Sequence, residues 1–225
     1  LKLAQDIGHK DSCSKILSDI GGMHSRDGEF KKAIKYYKRG LEITKTVGNK
    51  MQEGLILFNI ANSYHYLDKY NRSIKYLVSS KEICEKISDT EGITYANDLY
   101  GDNLFRLNRI EEAKEIYSEN LKLQEKIQDT EGMSHTYGNL GNIAKTEKNF
   151  DEAEGYYKQQ QKVLNKIGDK EGEGKAYFNW AMVEIERENS LEAIPKLREA
   201  VTLFEDCNFK IGLDLAKDQL KKLLH

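Results

Sequence analysis

The sequence predicts an all-α protein built from antiparallel helical hairpins that stack into a solenoid, and three observations support this fold class. Apolar residues recur every 40 positions, as at Ile43, Ile83 and Leu123. Proline occurs once, at Pro195, and the apolar-polar alternation typical of strands is absent. Within each 40-residue repeat, apolar residues instead fall at helical spacing. A fixed period of this length indicates an array of like repeats rather than one globular domain.

The repeat boundaries follow from polar and glycine positions that keep the same period. These positions are Asn49, Asp89, Asp129 and Asp169, together with Gly92, Gly132, Gly172 and Gly212. We predict a single array over residues 1–225, with complete repeats at 8–47, 48–87, 88–127, 128–167 and 168–207. Residues 1–7 match the end of a second helix, so we expect the chain to begin inside an earlier repeat of a longer protein. Residues 208–225 are expected to form a capping helix, with Leu213, Ala216, Leu220 and Leu224 on its packed face.

Each repeat is predicted to contain two helices. In the third, one apolar stripe ends near Leu107 and another begins near Ala113, and the short polar break between them allows only an antiparallel hairpin. Equivalent breaks fall at 26–29 and 147–149. Between repeats, a Gly or polar residue ends one helix and the Asn or Asp column can cap the next. Pro195 should distort the first turn of its helix without breaking it.

Small residues recur where the two helices of a hairpin must approach closely. On the first helix they are Gly21, Ala61, Gly101, Gly141 and Ala181, and on the second helix they are Ala33, Ser73, Ala113, Ala153 and Ala193. Trp180 shares a column with apolar residues and is expected in the core. The pairs Glu91-Gly92, Glu131-Gly132 and Glu171-Gly172 recur at helix starts, which indicates compensation of the helix dipole and backbone fit.

Composition excludes several classes of partner. Lys and Arg number 35 against 37 Asp and Glu, a net charge of −2, so the basic stripe of a nucleic-acid-binding protein is absent. No apolar run approaches the roughly 18 residues of a membrane span. Cys13, Cys84 and Cys207 are odd in number and widely spaced, which favours reduced thiols and a cytoplasmic location.

The fourth repeat carries a recognisable series: Tyr137, Asn139-Leu140-Gly141-Asn142, Phe150, Ala153 and Tyr157. This series resembles the tetratricopeptide repeat, and the resemblance covers essentially the whole chain. It implies a right-handed α-α superhelix with the first helices on the concave side. The 40-residue repeat, which lacks the family's usual Pro, is similar to the longer-helix subclass of LGN-type adaptors and Rap-type quorum-sensing regulators. Those relatives bind peptides or protein segments in the groove that the first helices line.

Residues opposite the packed stripe of each first helix are therefore predicted to line a binding groove. In the first three repeats they are Lys15, Ser18, Gly22, Arg26, Leu55, Phe58, Asn59, Asn62, His65, Tyr66, Tyr95, Asp98, Asp102, Phe105 and Arg106. In the last two they are His135, Asn139, Asn142, Lys145, Lys175, Phe178, Asn179, Met182 and Ile185. Tyr, Phe and Arg are effective anchors, and an Asn side chain can bond a peptide main chain through both its donor and its acceptor.

The groove column that holds Lys in carboxylate-clamp members of the family holds other residues here, namely Ser18, Phe58, Asp98, Gly138 and Phe178. This argues against a clamp for a carboxylate tail. Asp98 and Asp102 lie one helical turn apart, between Tyr95 and Phe105. One hypothesis is a site for a Lys or Arg side chain of the partner. The alternative is a solvated acidic pair that Arg106 partly neutralises.

No motif for chemistry stands out. His9, His24, His65, His135 and His225 never fall at a metal-ligand spacing, and neither a phosphate-binding glycine loop nor a G-x-S-x-G elbow is present. We therefore expect no cofactor, no metal and no enzymatic activity. The first hypothesis is a scaffold that binds a protein or peptide segment in its concave groove. The second is a sensing module of a larger signalling or transcription-regulating protein, and the third is an enzyme acting through groove carboxylates. The oligomeric state stays open.

Overall fold

The computed structural model describes residues 9–224, and these residues form α-helices with no strand among them. The helices are α1 (Lys10–Arg26), α2 (Phe30–Val47), α3 (Lys50–His65), α4 (Tyr70–Lys86), α5 (Thr90–Arg106), α6 (Ile110–Ile127), α7 (Thr130–Thr146), α8 (Phe150–Ile167), α9 (Lys170–Glu186), α10 (Ser190–Asp206) and α11 (Lys210–Leu224). The predicted all-α class is confirmed. The prediction for residues 1–7, and His225 of the predicted cap, lie outside the described residues.

The chain divides into two compact units, residues 1–123 and 124–225. In unit 1, α1 packs on α2 and α3 on α4, and the successive first helices α1, α3 and α5 contact one another. In unit 2, α7 packs on α8 and α9 on α10, while α11 packs on α10 and touches α9. Each unit is thus a stack of hairpins, and in unit 1 neighbouring first helices also lie beside one another. Helix α10 continues through Pro195, as predicted.

The predicted caps form at the start of four first helices. The side chains of Asn49, Asp89, Asp129 and Asp169 each accept a hydrogen bond from the backbone N–H three residues on. The donor is a glycine in the last three cases. A Cβ atom added to Gly92 would collide with the Asp89 carboxylate and with the Cys84 thiol. The recurring glycine therefore leaves room for the capping carboxylate.

Helices also end at a regular interval in a left-handed backbone conformation. Gly28, Gly48 and Gly168 have φ of 74°, 79° and 72°. The remaining positions of this kind are Asp68, Ser88, Asn108, Gln128, Lys148, Glu188 and Asn208, all with positive φ. For a residue other than glycine this conformation costs roughly 1–2 kcal/mol. Packing of the flanking helices therefore holds these turns, rather than glycine alone.

Within the hairpins, the predicted small residues do meet large partners. A Cβ atom on Gly21, Gly101 or Gly141 would lie 2.6–2.8 Å from a tyrosine ring of the second helix. The tyrosines are Tyr37, Tyr117 and Tyr157. In the other two repeats the first helix carries Ala61 or Ala181, and the tyrosine position holds Leu77 or Leu197. A larger residue on one helix is matched by a smaller one on the other, because the axes keep one separation.

Asn97 of α5 is the least satisfied polar side chain in this packing. It is 1% exposed, and within residues 9–224 neither its amide nitrogen nor its amide oxygen has a hydrogen-bond partner. The same repeat position holds apolar or aromatic residues elsewhere, namely Leu17, Leu57, Tyr137 and Tyr177. An unpartnered buried amide costs about 1–3 kcal/mol.

Asn97→Leu is therefore expected to raise the free energy of unfolding by about 1–3 kcal/mol, because it removes both unpartnered groups and keeps the branched side-chain shape found at Leu17 and Leu57 of the same column. Urea unfolding followed by circular dichroism measures this. Asn62→Leu, on the half-buried face of α3, is the control and should change stability little. A destabilised Asn97→Leu variant would contradict the expectation.

Candidate functional site

A cavity of about 420 Å³ opens on unit 1 between α3 and α5, and we refer to it as the α3–α5 pocket. Its lining comprises Met51, Gly54, Leu55, Phe58, Asn59, Ser80, Cys84, Asp89, Glu91, Gly92 and Tyr95. Met51 is 71% exposed, and Leu55 and Tyr95 are about half exposed. Several large apolar side chains around one concavity favour contact with another molecule.

The charge of the α3–α5 pocket is negative. Asp89 and Glu91 lie in its lining, and none of the described lining residues is Lys or Arg. The Tyr95 hydroxyl donates a 3.0 Å hydrogen bond to Glu91 Oε1, which holds this carboxylate beside the pocket. An anionic edge on an apolar pocket suits an apolar group with a cation next to it.

Cys84 contributes a thiol to the pocket from α4. Its burial, followed by the nearby Asp89 carboxylate, raises the pKa of this thiol above its ordinary value. The group therefore stays protonated at neutral pH, where a thiol is a weak nucleophile. Cys84 therefore acts as an apolar wall residue of the pocket.

The pocket depends on which residues face each other across a hairpin. Phe58 of α3 and Ser80 of α4 both line it. One repeat later the equivalent pair is Asp98 and Asn120, whose side chains are joined by a 2.8 Å hydrogen bond. In the following repeat the equivalent pair is Gly138 and Gln160. A Cβ atom on Gly138 would lie 2.5 Å from the Gln160 amide nitrogen, so the Gln160 side chain fills the space beside Gly138.

The predicted acidic pair on α5 is held by α6. Asn120 Nδ2 donates to Asp98 Oδ1, and the Tyr117 hydroxyl donates to Asp102 Oδ1 at 2.5 Å. Both aspartates are half-buried. The carboxylates are thus oriented by the neighbouring helix. Binding of a partner's basic side chain here stays a prediction.

Other predicted groove residues of unit 1 have different surroundings. His65 Nδ1 lies 2.9 Å from Asn103 Oδ1, and the Asn103 amide donates to Ser73, so this histidine joins two repeats. Tyr66 is exposed but stacks on Phe30, with ring centroids 4.9 Å apart. On α3 and α5, Asn62 and Phe105 are half-buried, and Arg106 is exposed. The predicted members on α1 differ in exposure: Lys15 and Arg26 are exposed, Gly22 is half-buried and Ser18 is buried.

In unit 2, Lys175, Phe178 and Asn179 meet at a second cavity, of about 310 Å³. The other predicted residues of the unit lie apart from its lining. Asn142 Oδ1 accepts a 2.7 Å hydrogen bond from Tyr157, and Lys145 lies 3.9 Å from Glu186. The rest are His135, which is exposed, and Asn139, Met182 and Ile185, which are half-buried.

Part of the α3–α5 pocket was not predicted from the sequence. Leu55, Phe58, Asn59 and Tyr95 were predicted groove residues, whereas Met51 and the residues of α4 were not. A signal for Met51 existed. In the other complete repeats its position holds Asp11, Glu91, Glu131 and Glu171, so among these repeats a methionine there departs from a charged column. Ser80 and Cys84 carried no comparable signal, since small residues on a second helix are ordinary core residues.

Two other kinds of site were sought in the part of the chain that the structure describes. No group of three or more His, Cys, Asp or Glu side chains there could hold a metal ion. None of its helices combines the length and the apolar character needed to cross a bilayer.

Comparisons with known proteins agree with this geometry. Two profiles described as tetratricopeptide repeat match residues 16–51 and 134–163. No curated protein sequence matches the chain significantly. Among solved structures, the apo form of RapI is 16% identical, with a TM-score of 0.81 over 88% of this chain and 72% of RapI.

Two further structures are similar. A signal transduction ATPase with a tetratricopeptide repeat sensor, from Pyrococcus horikoshii, is 22% identical, with a TM-score of 0.79 over 89% of this chain and 31% of that protein. The Rap conjugation gene regulator of plasmid pLS20, solved in complex with the Phr* peptide, is 16% identical, with a TM-score of 0.65. That match covers 84% of this chain and 52% of the regulator. At these identities the structures show a shared fold, and the two profiles show that residues 16–51 and 134–163 match tetratricopeptide repeats.

Proposed function

We propose that this protein binds a peptide or protein segment and that the α3–α5 pocket receives an apolar side chain of that partner. The observation that carries the proposal is a 420 Å³ concavity walled by exposed Met51, Leu55 and Tyr95. Burying such side chains against a partner yields about 25 cal/mol per Å² of apolar surface. An apolar anchor in a pocket is the usual centre of a binding interface.

Two of the similar solved structures support this proposal. The pLS20 regulator was solved with a bound peptide, and the repeat region of the Pyrococcus horikoshii protein is described as a sensor. The scaffold is our first proposal. The sensing module is the second, and the sensor description favours it. Both proposals require the same binding step, so substitutions in the α3–α5 pocket test either of them.

The partner's segment should be basic beside its apolar anchor. Asp89 and Glu91 lie in the pocket, and Asp98 and Asp102 follow along α5. A Lys or Arg side chain next to the anchor would meet these carboxylates. The hydrogen bonds from α6 fix two of them before binding, which lowers the cost of ordering the site.

We assign no catalytic step to these carboxylates. The net charge of −2 gives no basis for a nucleic-acid partner. The odd number of widely spaced cysteines leads us to place the interaction in the cytoplasm.

The proposal is tested by titrating the tetrapeptide acetyl-Lys-Leu-Phe-Lys-amide in a calorimeter. Met51→Ala/Leu55→Ala removes two exposed apolar walls and should weaken binding about tenfold, which is about 1.4 kcal/mol. Val78→Ala is the matched control, because Val78 is exposed on α4 outside the lining. Equal affinity of the wild type and the double variant would remove the α3–α5 pocket as the site.

The basic character of the partner needs a separate variant. Asp98→Asn/Asp102→Asn keeps the oxygen acceptors for Asn120 and Tyr117 but removes both charges. This variant should bind the lysine peptide more weakly at low salt, and its affinity for the analogue acetyl-Gln-Leu-Phe-Gln-amide should equal that of the wild type. An equal effect on both peptides would mean that the pair supports the fold rather than selecting charge.

A further inference from the structure

The cavity of unit 2 occupies the same repeat position as the α3–α5 pocket, and we refer to it as the α9–α11 pocket. Its lining comprises Lys175, Phe178, Asn179, Phe204, Phe209, Ile211, Gly212 and Leu215. Each of these residues lies 120 positions after a lining residue of the first pocket. Phe178 and Asn179 correspond to Phe58 and Asn59, for example. Two pockets therefore arise from one local arrangement, one in each unit.

The same physical reason opens the second pocket. Phe178 packs against a cluster that contains Ala200, the counterpart of Ser80. A large first-helix residue thus again faces a small second-helix residue. The intervening repeats, with Asp98 bonded to Asn120 and with Gln160 over Gly138, lack this combination.

The charge of the two pockets is opposite. Where the first carries Asp89 and Glu91, the second carries Phe209 and Ile211. The charged residue in the described lining of the second is Lys175, whose ammonium lies 4.9 Å from the centroid of the Phe209 ring.

Lys175 also contacts Glu171 at 2.5 Å. The side chains of this pair are 53% and 45% exposed, and an exposed ion pair of this kind contributes little to stability. A partner's carboxylate can therefore replace Glu171 at little cost. Asn179, one helical turn after Lys175, adds an amide donor on the same wall.

The capping helix α11 supplies the other wall. Leu213 and Ala216 pack towards α10, as the predicted cap requires. Ile211 and Leu215, however, are 69% and 51% exposed on the pocket side. A cap that only shields the last repeat from water would present polar residues there. Leu224, predicted on the packed face, is also exposed.

We infer that the α9–α11 pocket is a second binding site, which takes an apolar side chain adjacent to an Asp or Glu carboxylate in a peptide segment. The apolar side chain enters between Phe178, Ile211 and Leu215, and the carboxylate pairs with Lys175. The ammonium lies beside an aromatic wall, where the charge-assisted hydrogen bond is less screened than in open solvent. The site is separate from the basic-apolar site of unit 1 and does not depend on it.

The test exchanges the charges between equivalent positions. Lys175→Leu/Ile211→Glu gives the second pocket the residues found at Leu55 and Glu91, and both sites are exposed, so the fold should be retained. Calorimetric titration of the full chain with acetyl-Glu-Leu-Phe-Glu-amide should show about tenfold weaker binding in this variant. The lysine peptide should gain affinity for it. Lys217→Leu, which removes an α11 cation outside the lining, is the control and should bind the acidic peptide as the wild type does.

Two further variants locate the acidic peptide. Leu215→Ala should weaken its binding, whereas Met51→Ala/Leu55→Ala should leave it unchanged. Three outcomes would overturn the inference. They are loss of acidic-peptide binding in Met51→Ala/Leu55→Ala, an equal loss in Lys217→Leu, and wild-type affinity for the acidic peptide in Lys175→Leu/Ile211→Glu. In the wild type, the affinity for the lysine peptide measures the α3–α5 pocket alone. A failure of the proposed function is therefore distinguishable from a failure of this inference.

Discussion

Lys196→Met is expected to destabilise unit 2 by about 3–5 kcal/mol, because it leaves a buried carboxylate without its cation. Lys196 Nζ lies 3.8 Å from Glu184 Oε1, and their side chains are 11% and 3% exposed. The same ammonium lies 4.7 Å from the Trp180 ring centroid and donates to the Glu192 carbonyl oxygen. Glu184→Leu should destabilise by less, because Lys196 Nζ keeps an ion pair with Glu192 Oε2 at 3.3 Å.

The matched control replaces the whole pair. Two repeats earlier, the positions of Glu184 and Lys196 hold Leu104 and Ile116. Glu184→Leu/Lys196→Ile transfers that apolar pair, and we expect its stability to lie within about 1 kcal/mol of the wild type or above it. Urea unfolding at neutral pH, followed by circular dichroism, measures all three variants. Single variants no less stable than the double one would contradict a buried ion pair.

The second large effect is expected for the contact between Gly141 and Tyr157. A Cβ atom on Gly141 would lie 2.8 Å from the tyrosine ring, so Gly141→Ala should cost about 1–3 kcal/mol despite the better helix propensity of alanine. Tyr157→Leu should cost about 2–4 kcal/mol, because it leaves a cavity and removes the hydrogen bond to Asn142. Burial raises the pKa of the Tyr157 hydroxyl, which therefore remains a donor well into the alkaline range.

Combining the two changes should restore part of the loss. Gly141→Ala/Tyr157→Leu reproduces the Ala61–Leu77 and Ala181–Leu197 combinations of the same chain. We expect the double variant to be more stable than the sum of the single effects predicts, by about 1–3 kcal/mol. Gly155→Ala on the exposed side of α8, where an added Cβ meets nothing within 4 Å, controls for helix propensity. Strict additivity in the double variant would mean that the two positions do not share one packing constraint.

Features that depend on neighbours in the chain were predictable. The Asp129 cap and its glycine partner Gly132 are three residues apart, so their spacing alone indicates a helix start. The contact of Gly101 with Tyr117 was predictable in part, because a small-residue column in a first helix indicates close approach of the second helix. Which residue of the second helix faces Gly101 was not predictable, because the two residues come together only in the folded hairpin.

The groove prediction shows the same limit. Phe58 and Asp98 share a repeat column, and the sequence analysis placed both in one groove. The structure gives them different surroundings: Phe58 walls a pocket beside Ser80, while Asp98 accepts a hydrogen bond from Asn120. Column position sets the direction of a side chain, and the residue facing it on the second helix determines whether space remains.

The sequence by itself determined the all-α class, the 40-residue period and the capped helix starts, because helical periodicity and capping are local interactions encoded within a few residues. Only the tertiary structure decided where cavities open and which charge each presents. Those properties arise where α3 meets α4 and α5, and where α9 meets α10 and α11. There, residues about 20 to 40 positions apart in the chain surround one volume, and the sizes of the facing side chains determine whether that volume is filled or remains open as a pocket.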